Sequence, residues 1–297
     1  MEPNLETPLQ NRTSNATEGR QIARWGTLVV LLGAFALTYH DTLRWLVERW
    51  FADPYMGGAL VTVPLVAFAL WSRREDVRDL PVRGTAWGWP FLIAGAALHM
   101  LSVWIGYPQP SAISLVPVAF GFVIMLWGTE VFKRLWAPLA LLVFVTPVPL
   151  VLDPLTFPLR MISTQMATVL PQLTGIPYLV EGTTIHLPGY SLAVDIACSG
   201  LRSIWSLLFA ASVFAYLLSM RWWATALIML LALPLGMLDN AVRIDSSIVL
   251  GRIFGGQVAE GFFHQGSGTV CFFVTTLIML TIAVGASRWG SPSEPES

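Results

Sequence analysis

Apolar runs of up to about twenty residues recur along almost the whole chain, separated by short polar segments. An α-helix needs a run of about that length to cross the hydrocarbon core of a bilayer. In lipid a spanning backbone must also satisfy its own hydrogen bonds, which leaves helices or closed barrels. The long unbroken runs favour helices. Composition agrees: 55% of the 297 residues are hydrophobic and 12% are charged, where a soluble domain carries about 25% charged residues. The predicted fold is an all-α polytopic membrane protein of about eight transmembrane helices. They are expected over Trp25–Tyr39, Tyr55–Trp71, Ala86–Ile105, Ala112–Trp127, Trp136–Leu152, Gly200–Leu218, Trp222–Leu238 and Gly268–Ala286. Tryptophans such as Trp71, Trp127 and Trp222 fall at predicted ends, as interfacial aromatics do.

Orientation follows the bias of Lys and Arg toward cytoplasmic loops. Arg73, Arg74, Arg78 and Arg83 share one loop, and Lys133 and Arg134 lie in another. Arg221 and Arg288 follow the sixth and eighth predicted spans. All fall on one side when both termini are cytoplasmic. The expected organisation is a cytosolic tail over 1–24, a transmembrane domain over 25–287 and a second cytosolic tail over 288–297. The first tail has no apolar core of a signal peptide. The location expected from this is a cell inner membrane, multi-pass, with the uncharged Gly106–Ser111 loop and the long Asp153–Ala197 segment facing the periplasm.

That non-cytoplasmic segment has its own pattern. Prolines at 147, 149, 154 and 158 lead into an amphipathic stretch, Leu159–Leu170. Apolar and polar residues then alternate on both sides of Pro188-Gly189, which predicts a small hairpin over Thr183–Val194. The hairpin delivers Cys198 to the start of the sixth span.

Three reactive side chains share this face in the threaded topology: Cys198 before the sixth span, Arg243 just past the seventh and His264 just before the eighth. A helix N-terminus and a nearby cation both lower a thiol pKa. Arg243 offers a fork of donors for an oxyanion, and His264 can take a thiol proton and return it to a leaving amine. Gly200 permits close approach, and Ser199 can cap the sixth helix. Asn240 is placed to orient Arg243 or cap the seventh helix. Arg202, within a span, pairs with Asp239 or Asp245 or else binds substrate. Asp195 is a candidate for orienting a base.

The runs Ala197-Cys-Ser-Gly-Leu-Arg202, Asn240-Ala-Val-Arg-Ile244 and Phe263-His264 with Gly266 and Gly268 resemble the exosortase/archaeosortase family. The resemblance covers about Ala52–Val284. It implies a membrane cysteine peptidase or transpeptidase acting on secreted proteins. The implied signal is C-terminal: a Pro-Glu-Pro-type motif, a transmembrane helix and a basic tail. By that resemblance Cys198 is the nucleophile, Arg243 the oxyanion stabiliser and His264 the acid/base. A thioester on Cys198 is then passed to an envelope acceptor. The family often carries Glu two residues before the Cys; here Ile196 stands there. Many members also have an appended C-terminal domain, which is not expected here.

Other classes remain open on the residues alone. Eight helices with sparse charge also suit a transporter or flippase, or a non-catalytic subunit of an envelope polysaccharide export system. Ionisable groups gathered at one face, with no internal repeat, argue against a transport path. Cys271 reads as packing, although a Cys198–Cys271 disulfide is conceivable in an oxidising compartment. His99 and His186 read as structural. The absence of H-E-x-x-H and of paired cysteines gives no expected metal or cofactor. A net charge of −1 leaves no nucleic-acid footprint. The expected partners are the lipid bilayer and the sorting-signal proteins.

Overall fold

The computed structural model describes residues 26, 30, 33–52, 56, 58–81, 83–146, 153–195, 198–255 and 262–289, with the backbone alone for 262–267. The chain divides into two compact units, Met1–Arg49 and Trp50–Ser297. In the first, helix α1 (residues 33–52, running past the division) carries on beyond Tyr39, where the first predicted span ends. An Arg44–Glu48 ion pair at 3.1 Å lies on its exposed face at the favourable i,i+4 spacing.

The second unit opens with α2 (Ala59–Ser72) and α3 (Arg74–Arg78), then a 3₁₀ turn into α4 (Trp89–Ile105) and its antiparallel neighbour α5 (Gln109–Trp127). Helix α6 (Thr129–Ala140) passes into a 3₁₀ segment, Leu141–Val145. Helices α7 (Thr156–Met166) and α8 (Val169–Thr174) precede strands β1 (Leu179–Glu181), β2 (Thr184–Leu187) and β3 (Tyr190–Ala193). The chain closes with α9 (Leu201–Leu217), α10 (Trp222–Phe254) and α11 (Phe262–Arg288).

The expectation of about eight spans is corrected. Among the described residues only four helices are long and apolar enough to cross a membrane: Ala86–Ile105, Gln109–Trp127, Trp222–Phe254 and Gly268–Arg288. Two more, α2 and α9, are apolar but shorter, with 14 and 17 residues. At about 1.5 Å per residue they reach about 21 and 25 Å, less than the ~30 Å of hydrocarbon. The predicted span Trp136–Leu152 straddles a break: α6 begins with Glu130, Lys133 and Arg134, contains Pro138, and gives way to 3₁₀ geometry at Leu141. Residues 147–152, the tail over 1–24, residues 290–297 of the second tail and most of the start of the first predicted span lie outside the described residues. Hydropathy counts apolar runs; it does not tell an unbroken helix from one that stops half-way.

The amphipathic segment forms α7 and α8, and the hairpin gains a strand. The sheet is an antiparallel β1-β2-β3 meander, with Thr184 opposite Ala193 and Ile185 opposite Leu192. Alternation sends Ile185, Leu187 and Leu192 to one buried face, as the two-residue period of a strand requires. That face packs on Ile244 and Ile248 of α10, together with Ala167, Ile176, Val194 and Cys198. Gly251 of α10 gives the sheet its footing: a side chain there would meet the Tyr190 ring at 2.7 Å. The Tyr190 hydroxyl donates to the Ile248 carbonyl at 2.7 Å. A second, purely apolar cluster joins α9, α10 and α11 through Leu207, Ala211, Ile228, Ala232, Met279 and Ala283.

Candidate active site

Helix α10 has 33 residues, about 50 Å of helix at the standard rise. It outlasts the hydrocarbon core by more than ten residues. Asn240 and Arg243, expected at or beyond the end of a shorter helix, therefore sit inside a continuous one. Both are buried, at 1% and 9% exposure. The polar residues after Leu238 do not end the helix, because the sheet and α7 cover it there.

The Cys198 loop is pinned on several sides. Arg160 of α7 donates through Nε to the Val194 carbonyl at 2.7 Å and through Nη2 to Thr183 Oγ1 at 2.9 Å. The Cys198 N–H donates to the Asp195 carbonyl at 2.8 Å, closing a turn. The Asp195 side chain itself is exposed. The Asn240 Nδ2 group donates to the Cys198 carbonyl at 2.6 Å and to Ser163 Oγ at 2.9 Å. Asn240 thus ties the cysteine to α10 and α7 and does not act as a helix cap. Gly200 starts α9 with φ +81°, and a Cβ there would lie 3.0 Å from Met237 Sδ. An L-residue would be strained in that left-handed conformation. Ser199 Oγ accepts only a long 3.4 Å bond from the Leu201 N–H, a weak cap.

Arg243 lies one helical turn beyond Asn240 and packs against α11 at Gly268, where a Cβ would sit 3.1 Å from the Arg243 Cδ and Nε atoms. His264 is in the first turn of α11, one turn before Gly268. The placement of its imidazole lies outside the described residues, as do Ile196 and Ala197. Asp239, one turn before Arg243, accepts from Ser203 Oγ at 2.7 Å and from Thr275 Oγ1 at 3.1 Å, so one carboxylate links α9, α10 and α11.

The electrostatics correct one expectation. Cys198 is 4% exposed, and burial pushes its thiol above the ordinary cysteine range. The Arg243 guanidinium, the hydrogen bond at Asp195 and the Arg202 guanidinium pull the other way without overcoming burial. Both cysteines are free, so no disulfide closes over Cys198.

The Cys198 loop is thus tied to helix α10, and α10 in turn meets α11 at Gly268. The family model described as Transmembrane exosortase (Exosortase_EpsH) matches residues 50–281. The chain belongs to the transmembrane exosortase family. It is a multi-pass membrane protein. No curated protein gave a match, and no solved structure did. The family match takes in every residue singled out at this site, from Arg160 to Thr275.

Several residues of this exosortase site were not singled out from sequence. Arg160 and Ser163 sit in the amphipathic stretch, where polar residues read as a solvated face. Their only sequence signal was the position of that stretch next to the Cys198 loop. Ser203 and Thr275 are ordinary hydroxyl residues within apolar runs; only their shared contact with Asp239 marks them.

Proposed function

We propose that this exosortase is a cysteine peptidase or transpeptidase with Cys198 as nucleophile, Arg243 as oxyanion stabiliser and His264 as acid/base. The observation that carries the reading is the 2.6 Å bond from Asn240 to the Cys198 carbonyl. It locks the cysteine to the stretch of α10 that presents Arg243 one turn later. The substrates are secreted proteins with a C-terminal sorting signal of the Pro-Glu-Pro type. The Lys/Arg bias supports a periplasmic Cys198 and cytoplasmic tails over 1–24 and 288–297.

The chemistry runs in two steps. His264 takes the Cys198 proton, and Sγ bonds to the scissile carbonyl carbon. The resulting oxyanion is met by the Arg243 guanidinium. The C–N bond breaks, the leaving amine takes the proton from His264, and a thioester remains on Cys198. The nucleophile of an acceptor then displaces the thiol, which recovers its proton. Because burial disfavours the thiolate, proton removal is coupled to substrate arrival, and the free enzyme keeps an unreactive thiol.

The test is co-expression of wild type, Cys198→Ala, Arg243→Ala and His264→Ala with a tagged secreted protein bearing such a signal, followed by its size. Processing by wild type alone, or with weak residual processing by the Arg243 and His264 variants, supports the reading. Equal processing by all four overturns it in favour of a transport or scaffold role.

A further inference from the structure

A cavity of about 530 Å³ lies between α2, α9 and α11. Its α9 wall is formed by Arg202, Trp205, Phe209 and Val213, a spacing that keeps them on one helix face. Leu65 of α2 and Phe272 of α11 complete the apolar part. The end nearest Cys198 is polar. Asp239 joins Ser203 to Thr275, which brings their neighbours Arg202 and Thr276 to one level. Thr276 also lines this cavity; its hydroxyl is buried and has no hydrogen-bond partner among the described residues.

Size decides what fits. From Arg202 to Val213 the groove follows α9 for about 17 Å, close to one leaflet of the hydrocarbon core, about 15 Å. A membrane-crossing helix would need about twice that length. The groove is about as long as one leaflet is thick, has the volume of a small-molecule site, and carries its cation at one end of an apolar slot.

We propose that this groove binds one anionic phospholipid, with its phosphate on Arg202 and one acyl chain along Trp205, Phe209 and Val213. A guanidinium matches a phosphate with paired, charge-assisted hydrogen bonds. Lipid binding here does not depend on the peptide chemistry at Cys198, although the Arg202 guanidinium also bears on that thiol.

The experiment uses the full chain purified in detergent, with bound lipid counted by native mass spectrometry after exchange into palmitoyl-oleoyl phosphatidylglycerol or the matching phosphatidylcholine. Both lipids present a phosphate, but only phosphatidylcholine carries a cation that repels Arg202, so wild type is expected to hold one phosphatidylglycerol at least about tenfold more tightly. Arg202→Gln removes that preference and Arg202→Lys largely keeps it. Ala210→Trp fills the groove without touching the charge and abolishes retention of both lipids. Inorganic phosphate does not displace the lipid. Equal retention of the two lipids by wild type overturns the proposal. So does unchanged retention in Arg202→Gln or Ala210→Trp, release by inorganic phosphate, or replacement of the lipid by an apolar helical peptide. The Arg202→Lys and Ala210→Trp arms keep the test decisive if Arg202→Gln does not fold.

Discussion

The two halves of α10 are built on different principles. From Trp222 to Leu238 the helix packs through Ile228 and Ala232 against Leu207 and Ala211 of α9 and Met279 and Ala283 of α11. These contacts hold by shape and dispersion, since lipid tails are as apolar as the residues they replace. From Asp239 onward it buries Asp239, Asn240, Arg243 and Ser247 alongside Ile244 and Ile248. Burying a polar group is costly without a partner, and the partners of Asp239 and Asn240 lie on different elements. Asp239 accepts from α9 and α11, and Asn240 donates to the Cys198 loop and α7. The first half is a tolerant packing surface. The second is a joint where a change of one group is felt by several elements, and it is the half beside the cysteine.

Substitutions in the two halves should separate activity from stability. The largest effect is expected from Arg243→Ala, a drop in processing of about 10²–10³-fold, the scale of a lost oxyanion donor. Rate assays on equal amounts of folded protein check it; a loss under tenfold would place Arg243 outside the chemistry. Asn240→Ala is expected to cost about 1–3 kcal/mol by leaving the Cys198 carbonyl and Ser163 without their partner. Its processing rate falls too, because Cys198 is no longer held. In the first half, Ile228→Ala is expected to cost about 1–2 kcal/mol, less than in a soluble core, because the unfolded chain in lipid is also surrounded by apolar groups. Detergent-phase unfolding with parallel activity assays reads both, and Ile228→Ala should leave the rate per folded molecule unchanged. The smallest effect is a pH shift. Burial raises the Cys198 thiol and Arg243 lowers it, so thiol alkylation should increase with pH and inflect above the ordinary cysteine range. Arg243→Ala should move that inflection higher still and slow alkylation at neutral pH. An inflection that moves down would mean that Arg243 does not favour the thiolate.

Sequence reasoning located the boundaries where physics is local. The start of α9 was legible because Cys198-Ser-Gly200 precedes a clean apolar run, and the Pro188-Gly189 turn marked two strands. It failed where tertiary cover decides. The end of α10 was misjudged because Asp239, Asn240 and Arg243 read as a helix leaving the membrane, whereas contacts with α7, α9 and α11 bury them. Strand β1 was missed because Leu179–Glu181 is exposed throughout and shows no buried alternation. The span count failed because α2 and α9 are short and α6 breaks into 3₁₀ geometry at Leu141. At the candidate site, the juxtaposition of Cys198 with Asn240 was not deducible from spacing, since 42 residues separate them. The resting state of the thiol also depends on burial that no local motif encodes.

The central claim is that Cys198 carries the acyl group. The most direct measurement is to quench purified enzyme during turnover of a sorting-signal substrate and map adducts by peptide mass spectrometry. The account predicts a hydroxylamine-labile acyl adduct on the peptide containing Cys198. That adduct should be absent from Cys198→Ala and should accumulate when acceptor is withheld. Processing at the wild-type rate by Cys198→Ala, or an adduct on another residue that turns over with product, would contradict it.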